Sequence, residues 1–242
     1  MKRYKSSRKL IANVDTTIAA LEVEYELARA DDTVIEIMVV EIKNAMENLR
    51  SCLDFCAQDV KDFHCSARSG DTYFPYSSIE SDFKGRVQKS FPGLATERPT
   101  IFKLFHDMQP FASGDDWLSF FCRINNHNKH DNLSEQKREH IPPEVKLSTQ
   151  GINLVRASGY SSGKIGKLVV NGKVVGTNVV IDTMMSEEEL QRQMPSIDVK
   201  KTGGTMRFTL DGTDRDALNV LCLARDKIDQ LVEALQIELS SV

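Results

Sequence analysis

From Leu10 onward, apolar residues at Leu10, Val14, Ile18, Leu21 and Tyr25 recur at helical spacing until the polar pair Asp31-Asp32 interrupts them. A second pattern, Val34, Ile35, Met38, Ile42, Met46, Leu49, Leu53, Cys56 and Val60, keeps one apolar face without a glycine or proline. The two segments are expected to pair as an antiparallel helical hairpin. Between residues 66 and 100, Gly70, Pro75, Gly85, Pro92, Gly93 and Pro99 break any long helix, and a short serine-capped helix fits only within Ser78–Ser90. Thr100 is expected to cap a helix over Ile101–Met108 that Gln109-Pro110 ends. Ser113 or Asp115 then opens a helix carrying Trp117 through Leu133.

After Ile141-Pro142-Pro143 the period changes from 3.6 to 2. The run KLVVNGKVVGTNVVI predicts a hairpin, because Asn171-Gly172 supplies the two positive-φ residues of a type I′ turn between valine-rich arms. Further strands are expected near 152–157, 196–200 and 205–210, the last two joined through Gly203-Gly204. Ser186 and Glu189 have capping-box spacing at the start of a short helix. A last helix, capped by Thr213 or Asp214, presents Leu218, Leu221, Ala224, Ile228, Leu231 and Leu235 on one face that must dock on the first helices. The expected fold class is α+β: a helical bundle over 1–140, a small antiparallel β insertion over 141–211, and a closing helix over 212–242.

Composition narrows the class of protein without deciding its chemistry. The chain has 31 Lys and Arg against 35 Asp and Glu, and 40% hydrophobic residues, the mixture of a globular protein instead of a disordered one. Its formal charge of −4 excludes a wholesale nucleic-acid coat, although Lys2, Arg3, Lys5, Arg8 and Lys9 make the first residues locally basic, for phosphate or for solvent. No apolar run reaches a membrane-span length and no secretory signal opens the chain, so no membrane role and a cytoplasmic location are expected. Cys52, Cys56, Cys65, Cys122 and Cys222 read as reduced thiols. Cys52 and Cys56 stand four apart, wider than the usual zinc pair, and with His64-Cys65 they are the nearest approach to a metal set; no metal and no cofactor is expected. GYSSGKIGK lacks phosphate-loop spacing and precedes a strand.

The densest chemistry lies in FCRINNHNKHDNL, behind the apolar lead-in Trp117-Leu118-Ser119-Phe120-Phe121. If the stretch is helical, offsets of three, four and seven residues from Arg123 bring Asn126, His127 and His130 onto one stripe. Such a stripe is either a capped helix end, its Asn, Lys and His side chains satisfying the last carbonyls, or a site. Arg50 and Asp54, one turn apart on the second helix, either reach the stripe or form an intrahelical pair or polar latch. Trp117, Phe120, Phe121 and Cys122 read as core.

Two pieces of the chain, NLRSCLDF in the second helix and IFKLFHDMQPF followed by WLSFFCRINNHNKHDNL, resemble bacterial proteins of the HEPN type. In these helical bundles a helix with an L-R-S-x-L-D run precedes one ending in N-x-x-K-H. The likeness covers about residues 30–140, with the last helix as a closing member, and leaves the β insertion out. It implies a metal-independent endoribonuclease of toxin or phage-defence type, whose signature is an arginine and a histidine with four to six residues between them, and a homodimer whose two copies form one RNA-cleaving groove. Arg123 and His130 are then the catalytic pair. Asn126, His127, Lys129, Arg50 and Asp54 are the substrate-binding residues, with Asp54 in a position to fix a histidine tautomer. Arginine grips two phosphate oxygens without losing charge, and histidine exchanges protons near neutrality, which is the chemistry that RNA cleavage needs. The alternative is a non-catalytic helical scaffold whose β insertion binds a protein partner or a nucleotide and whose Arg/Asn/His cluster is structural.

Overall fold

The computed structural model describes residues 1–31, 33–66, 70–130, 135–210 and 212–240, apart from the side chains of Ala30, Lys129 and His130. It is a mixed α+β protein in two units, Met1–Lys137 with Phe208–Val242, and Arg138–Arg207.

The first unit is built on α1 (Tyr4–Ala30), α2 (Val39–His64) and α9 (Ala217–Ser240), each packed on the other two. The buried stripe of α1 runs through Ile11, Val14, Ile18, Leu21 and Tyr25, with Ile11 in the place the periodicity gave to Leu10. It meets Met46, Leu49, Leu53, Cys56 and Val60 of α2 and Leu221, Ile228, Leu231 and Leu235 of α9, all buried. The last helix therefore docks as its apolar face required. The second helix starts later than its apolar pattern: Met38 turns left-handed (φ 43°), and the side chain of Gln136 bonds both the N–H and the C=O of Ile37, holding that segment extended. The basic amino terminus is not simply solvated, since Lys2 and Arg3 pair with Asp62, Arg3 also with Asp59, and Arg8 with Asp229.

A connector lies between α2 and the next long helix: α3 (Glu80–Ser90), α4 (Leu94–Glu97), α5 (Pro99–Asp107) and α6 (Pro110–Ser113). Phe74, Phe83, Phe91 and Phe105 are its buried anchors, and Gln109 is saturated by the carbonyls of Pro75 and Phe105 and the N–H of Ser77. Two expected caps differ. Ile79, not a serine, precedes α3, and Thr100 lies inside α5, which Pro99 begins because its missing N–H costs nothing at that position. The next helix, α7 (Trp117–His130), opens as expected with Asp115 accepting from Trp117 N at 2.9 Å; the continuation to Leu133 lies outside the described residues. No helix among the described residues is long and apolar enough to cross a membrane.

Strands β1 (Gln136–Ile141) and β7 (Thr205–Leu210) pair. Within the second unit the sheets are antiparallel: β2 (Glu144–Thr149) lies between β3 (Ile152–Ser158) and β6 (Asp198–Thr202), and β4 (Ser162–Val170) pairs with β5 (Lys173–Asp182) through the Asn171-Gly172 turn, both residues at positive φ. The capping box on α8 (Glu187–Gln193) forms with both reciprocal bonds. Val145, Leu147, Val179, Ile181, Leu190, Met194 and Ile197 make this unit's own core. The strands β1 and β2 escaped the periodicity because QKREHI is almost wholly polar and EVKLST offers only Val145 and Leu147.

At the turn from β6 to β7, Gly203 has φ +71° and a Cβ there would run into the carbonyl oxygen of Pro142. Gly203→Ala combines a positive-φ penalty with a backbone clash, so it is expected to destabilise the second unit by about 2–4 kcal/mol. Urea unfolding followed by hydrogen exchange in that unit checks it; a midpoint equal to wild type would show the turn to be soft.

Candidate functional site

Trp117, Leu118, Phe120, Phe121, Cys122, Ile124 and Asn125 are buried on α7, which leaves Arg123 and Asn126 exposed and His127 and Asn128 half-buried. Arg123 and Asn126 therefore face solvent and the aromatic lead-in is core. His130 falls on the same stripe of the helix, about 10 Å along the axis from Arg123 at 1.5 Å per residue. The side chains of Lys129 and His130 lie outside the described residues.

Arg123 does not stand alone. Its guanidinium carbon lies 5.2 Å from the ring centroid of Phe120, and that of Arg215, from the loop before α9, lies 4.4 Å from the same ring. Arg215 is tied to Asp116. The two guanidiniums meet at the exposed side of α7. Arg215 was not found by sequence reasoning, because nothing in its local spacing connects it with a helix almost a hundred positions earlier.

Arg50 and Asp54 behave differently. Arg50 Nη2 lies 3.1 Å from Asp54 Oδ1, Arg50 Nη1 donates to Cys122 Sγ at 3.1 Å, and the guanidinium sits 5.4 Å from the Tyr76 ring centroid. Asp54 Oδ1 also accepts from Phe74 N at 2.9 Å. Asn126 reaches the same group, donating to Tyr76 Oη at 3.5 Å. The structure thus gathers Arg50 and Asn126 on Tyr76, another residue that sequence reasoning did not single out, with Asp54 holding Arg50, and sets Arg123 beside Arg215.

Burial pushes the Cys122 thiol up to about 11 despite the Arg50 guanidinium, and the Cys52 thiol up to about 12. A buried, protonated thiol is a poor nucleophile. Brief alkylation near neutral pH is expected to modify the half-buried Cys65 and Cys222 first, with Cys122 protected until denaturant is added. Peptide mass spectrometry reads the order, and native labelling of Cys122 would contradict its enclosure between α2 and α7. The nearest sequence approach to a metal set is dispersed, with the His64 ring on the Pro92 carbonyl and Cys65 directed at the Ser90 carbonyl. Among the described residues no three His, Cys, Asp or Glu side chains are grouped to hold a metal ion.

Comparison with family models, with curated proteins and with solved structures returns no match for this chain.

Proposed function

We propose that the helical unit is a HEPN-like, homodimeric, metal-independent endoribonuclease whose working surface is the outer stripe of α7. The observation that carries this reading is the pair of guanidiniums, Arg123 and Arg215, gathered on one aromatic ring at a solvent-exposed face whose stripe continues to His130. Two like charges held together on a surface favour an anion, and a phosphodiester is the anion that an arginine fork fits best.

In the reaction, an imidazole takes the proton of the ribose 2′-hydroxyl, and the 2′-oxygen attacks the adjacent phosphorus. The bond from phosphorus to the 5′-oxygen breaks, and a second proton donor supplies the leaving oxygen. The products are a 2′,3′-cyclic phosphate and a free 5′-hydroxyl. Arg123 clamps the phosphate as negative charge gathers on its equatorial oxygens, with Arg215 beside it. His130 carries the proton, and the partner protomer's stripe completes the pair. Asn126 and His127 line the approach, and Lys129 adds charge at the rim.

One observation favours a second reading, a non-catalytic scaffold: Arg50 and Asp54 hold each other, Cys122 and the backbone of Phe74, which is a latch between α2, α7 and the connector. The readings separate on labelled RNA incubated with excess chelator. The ribonuclease reading expects cleavage with cyclic-phosphate ends, and the scaffold reading expects none.

A further inference from the structure

The exposed face of the three-stranded sheet in the second unit has a charge arrangement that the fold does not need. Register places Arg156 of β3 opposite Lys146 of β2, and Lys146 opposite Lys200 of β6, so three cations form one row across adjacent strands. All three are exposed, while the alternate residues Val145, Leu147 and Val199 point into the core. Like charges directly opposite each other destabilise a sheet, and strands about 4.8 Å apart compress this row into about 10 Å. Glu144 offsets part of it by pairing with Lys146 and Arg156 at 2.8 Å each; among the described residues no carboxylate pairs with Lys200. Asp198 is the other acid on this face, opposite Ser148.

The sequence around the row follows the same bias. Residues 145–181 contain Lys146, Arg156, Lys164, Lys167 and Lys173 and not one Asp or Glu. The unit as a whole has ten Lys and Arg against seven Asp and Glu, a reversal of the 31 against 35 of the full chain. On the same face as the row stand Ser158, Thr202 and the opposed pair Ser148 and Asn153, and Tyr160 is 66% exposed just beyond the end of β3.

We propose that this face binds single-stranded RNA, with the sugar-phosphate backbone crossing the strands along Arg156, Lys146 and Lys200. A row of cations across adjacent strands, with an exposed aromatic four residues beyond Arg156 in the chain, is the pattern of a single-strand platform, where charge tracks the backbone and a base stacks. Among the described residues of this unit the one helix, α8, is short and its Leu190 belongs to the core, so it is not free to enter a duplex groove. The hydroxyl and amide fringe of Ser148, Asn153, Ser158 and Thr202 suits the 2′-hydroxyl, which selects RNA over DNA. This inference is independent of cleavage at α7: the sheet can hold RNA whether or not the helical unit cuts it.

The test is fluorescence anisotropy of a labelled single-stranded oligouridylate with the full chain, in wild type and in a His130→Ala background, over a range of salt. The triple variant Lys146→Ser, Arg156→Ser, Lys200→Ser is expected to bind at least tenfold more weakly. Its log–log salt slope should be shallower by about 2, since each phosphate contact on a single strand contributes roughly 0.7. Asp198→Asn, which removes the acid beside the row, is expected to tighten binding about two- to threefold, and it decides the matter if the triple variant does not fold. Single-stranded DNA, RNA duplex, polyglutamate and anionic vesicles should all bind more weakly. The proposal is overturned by a folded triple variant with wild-type affinity, by an Asp198→Asn variant with unchanged affinity, or by any of those four competitors binding as tightly as the RNA. Affinity lost with the sheet variants and cleavage lost with His130→Ala are separate readouts, so failure of one reading leaves the other standing.

Discussion

Arg123→Ala is expected to slow RNA cleavage by about 100-fold or more, the usual effect of removing a charge that stabilises the reaction's negative charge. Thermal stability should hardly move. Arg123 is exposed and its contact with Phe120 is a surface cation–π interaction, worth about 0.5–1 kcal/mol. Arg123→Lys keeps the charge but loses the two-pronged grip, so it should recover only part of the rate. A kinetic assay of purified variants, beside their melting curves, reads both quantities. Unchanged cleavage in Arg123→Ala would remove the phosphate clamp from the account, and a large loss of stability would assign the residue to the scaffold.

The largest stability effect is expected at Asp216. The residue is 8% exposed and its carboxylate accepts three hydrogen bonds, from Tyr25 Oη at 2.6 Å, from Phe208 N at 3.1 Å and, through its other oxygen, from Asn219 N at 3.1 Å. One side chain thus caps α9, ties the end of β7 and fixes α1. Asp216→Ala removes a helix cap worth about 1 kcal/mol and strands the other two donors at about 1–2 kcal/mol each, which together give roughly 3–5 kcal/mol. For a chain of this size that lowers the melting temperature by about 6–20 °C. Asp216→Asn, which keeps an acceptor oxygen, should lose less. Burial, reinforced by the hydrogen bond to Asp216, pushes the Tyr25 phenol far above its usual range. The neutral phenol is therefore the form that the fold favours: its contribution is complete below the ordinary phenol pKa of about 10 and declines as pH rises beyond it. A melt of Asp216→Ala within a degree or two of wild type would show the network to be dispensable.

The long elements were legible because a long periodic face has one way to be buried. The helices α1, α2 and α9, the Asn171-Gly172 hairpin and the Ser186 capping box all follow from spacing and turn chemistry that act within a few residues. Caps were less legible where several polar residues compete. Thr213 and Asp214 were the expected caps of α9, yet Thr213 Oγ1 bonds the Leu210 carbonyl and closes the preceding turn, which moves the helix start to Ala217 behind Asp216. The late start of α2 was hidden because it depends on Gln136, distant in the chain.

The candidate site divides in the same way. Helical arithmetic alone put Arg123, Asn126, His127 and His130 on a stripe, and the burial of α7 turns Arg123 and Asn126 outward. What spacing could not supply is the partner of each group. Arg215 beside Arg123, and Tyr76 over Arg50 and against Asn126, come from loops whose packing is set by the tertiary fold.

The most direct measurement of the central claim compares purified wild type with His130→Ala on end-labelled single-stranded RNA in the presence of excess chelator, with a melting curve for each. The account predicts that wild type cuts and leaves cyclic-phosphate ends, and that His130→Ala melts like wild type but cuts at least about 100-fold more slowly. Equal cutting by the two proteins, or no cutting by wild type, would contradict it.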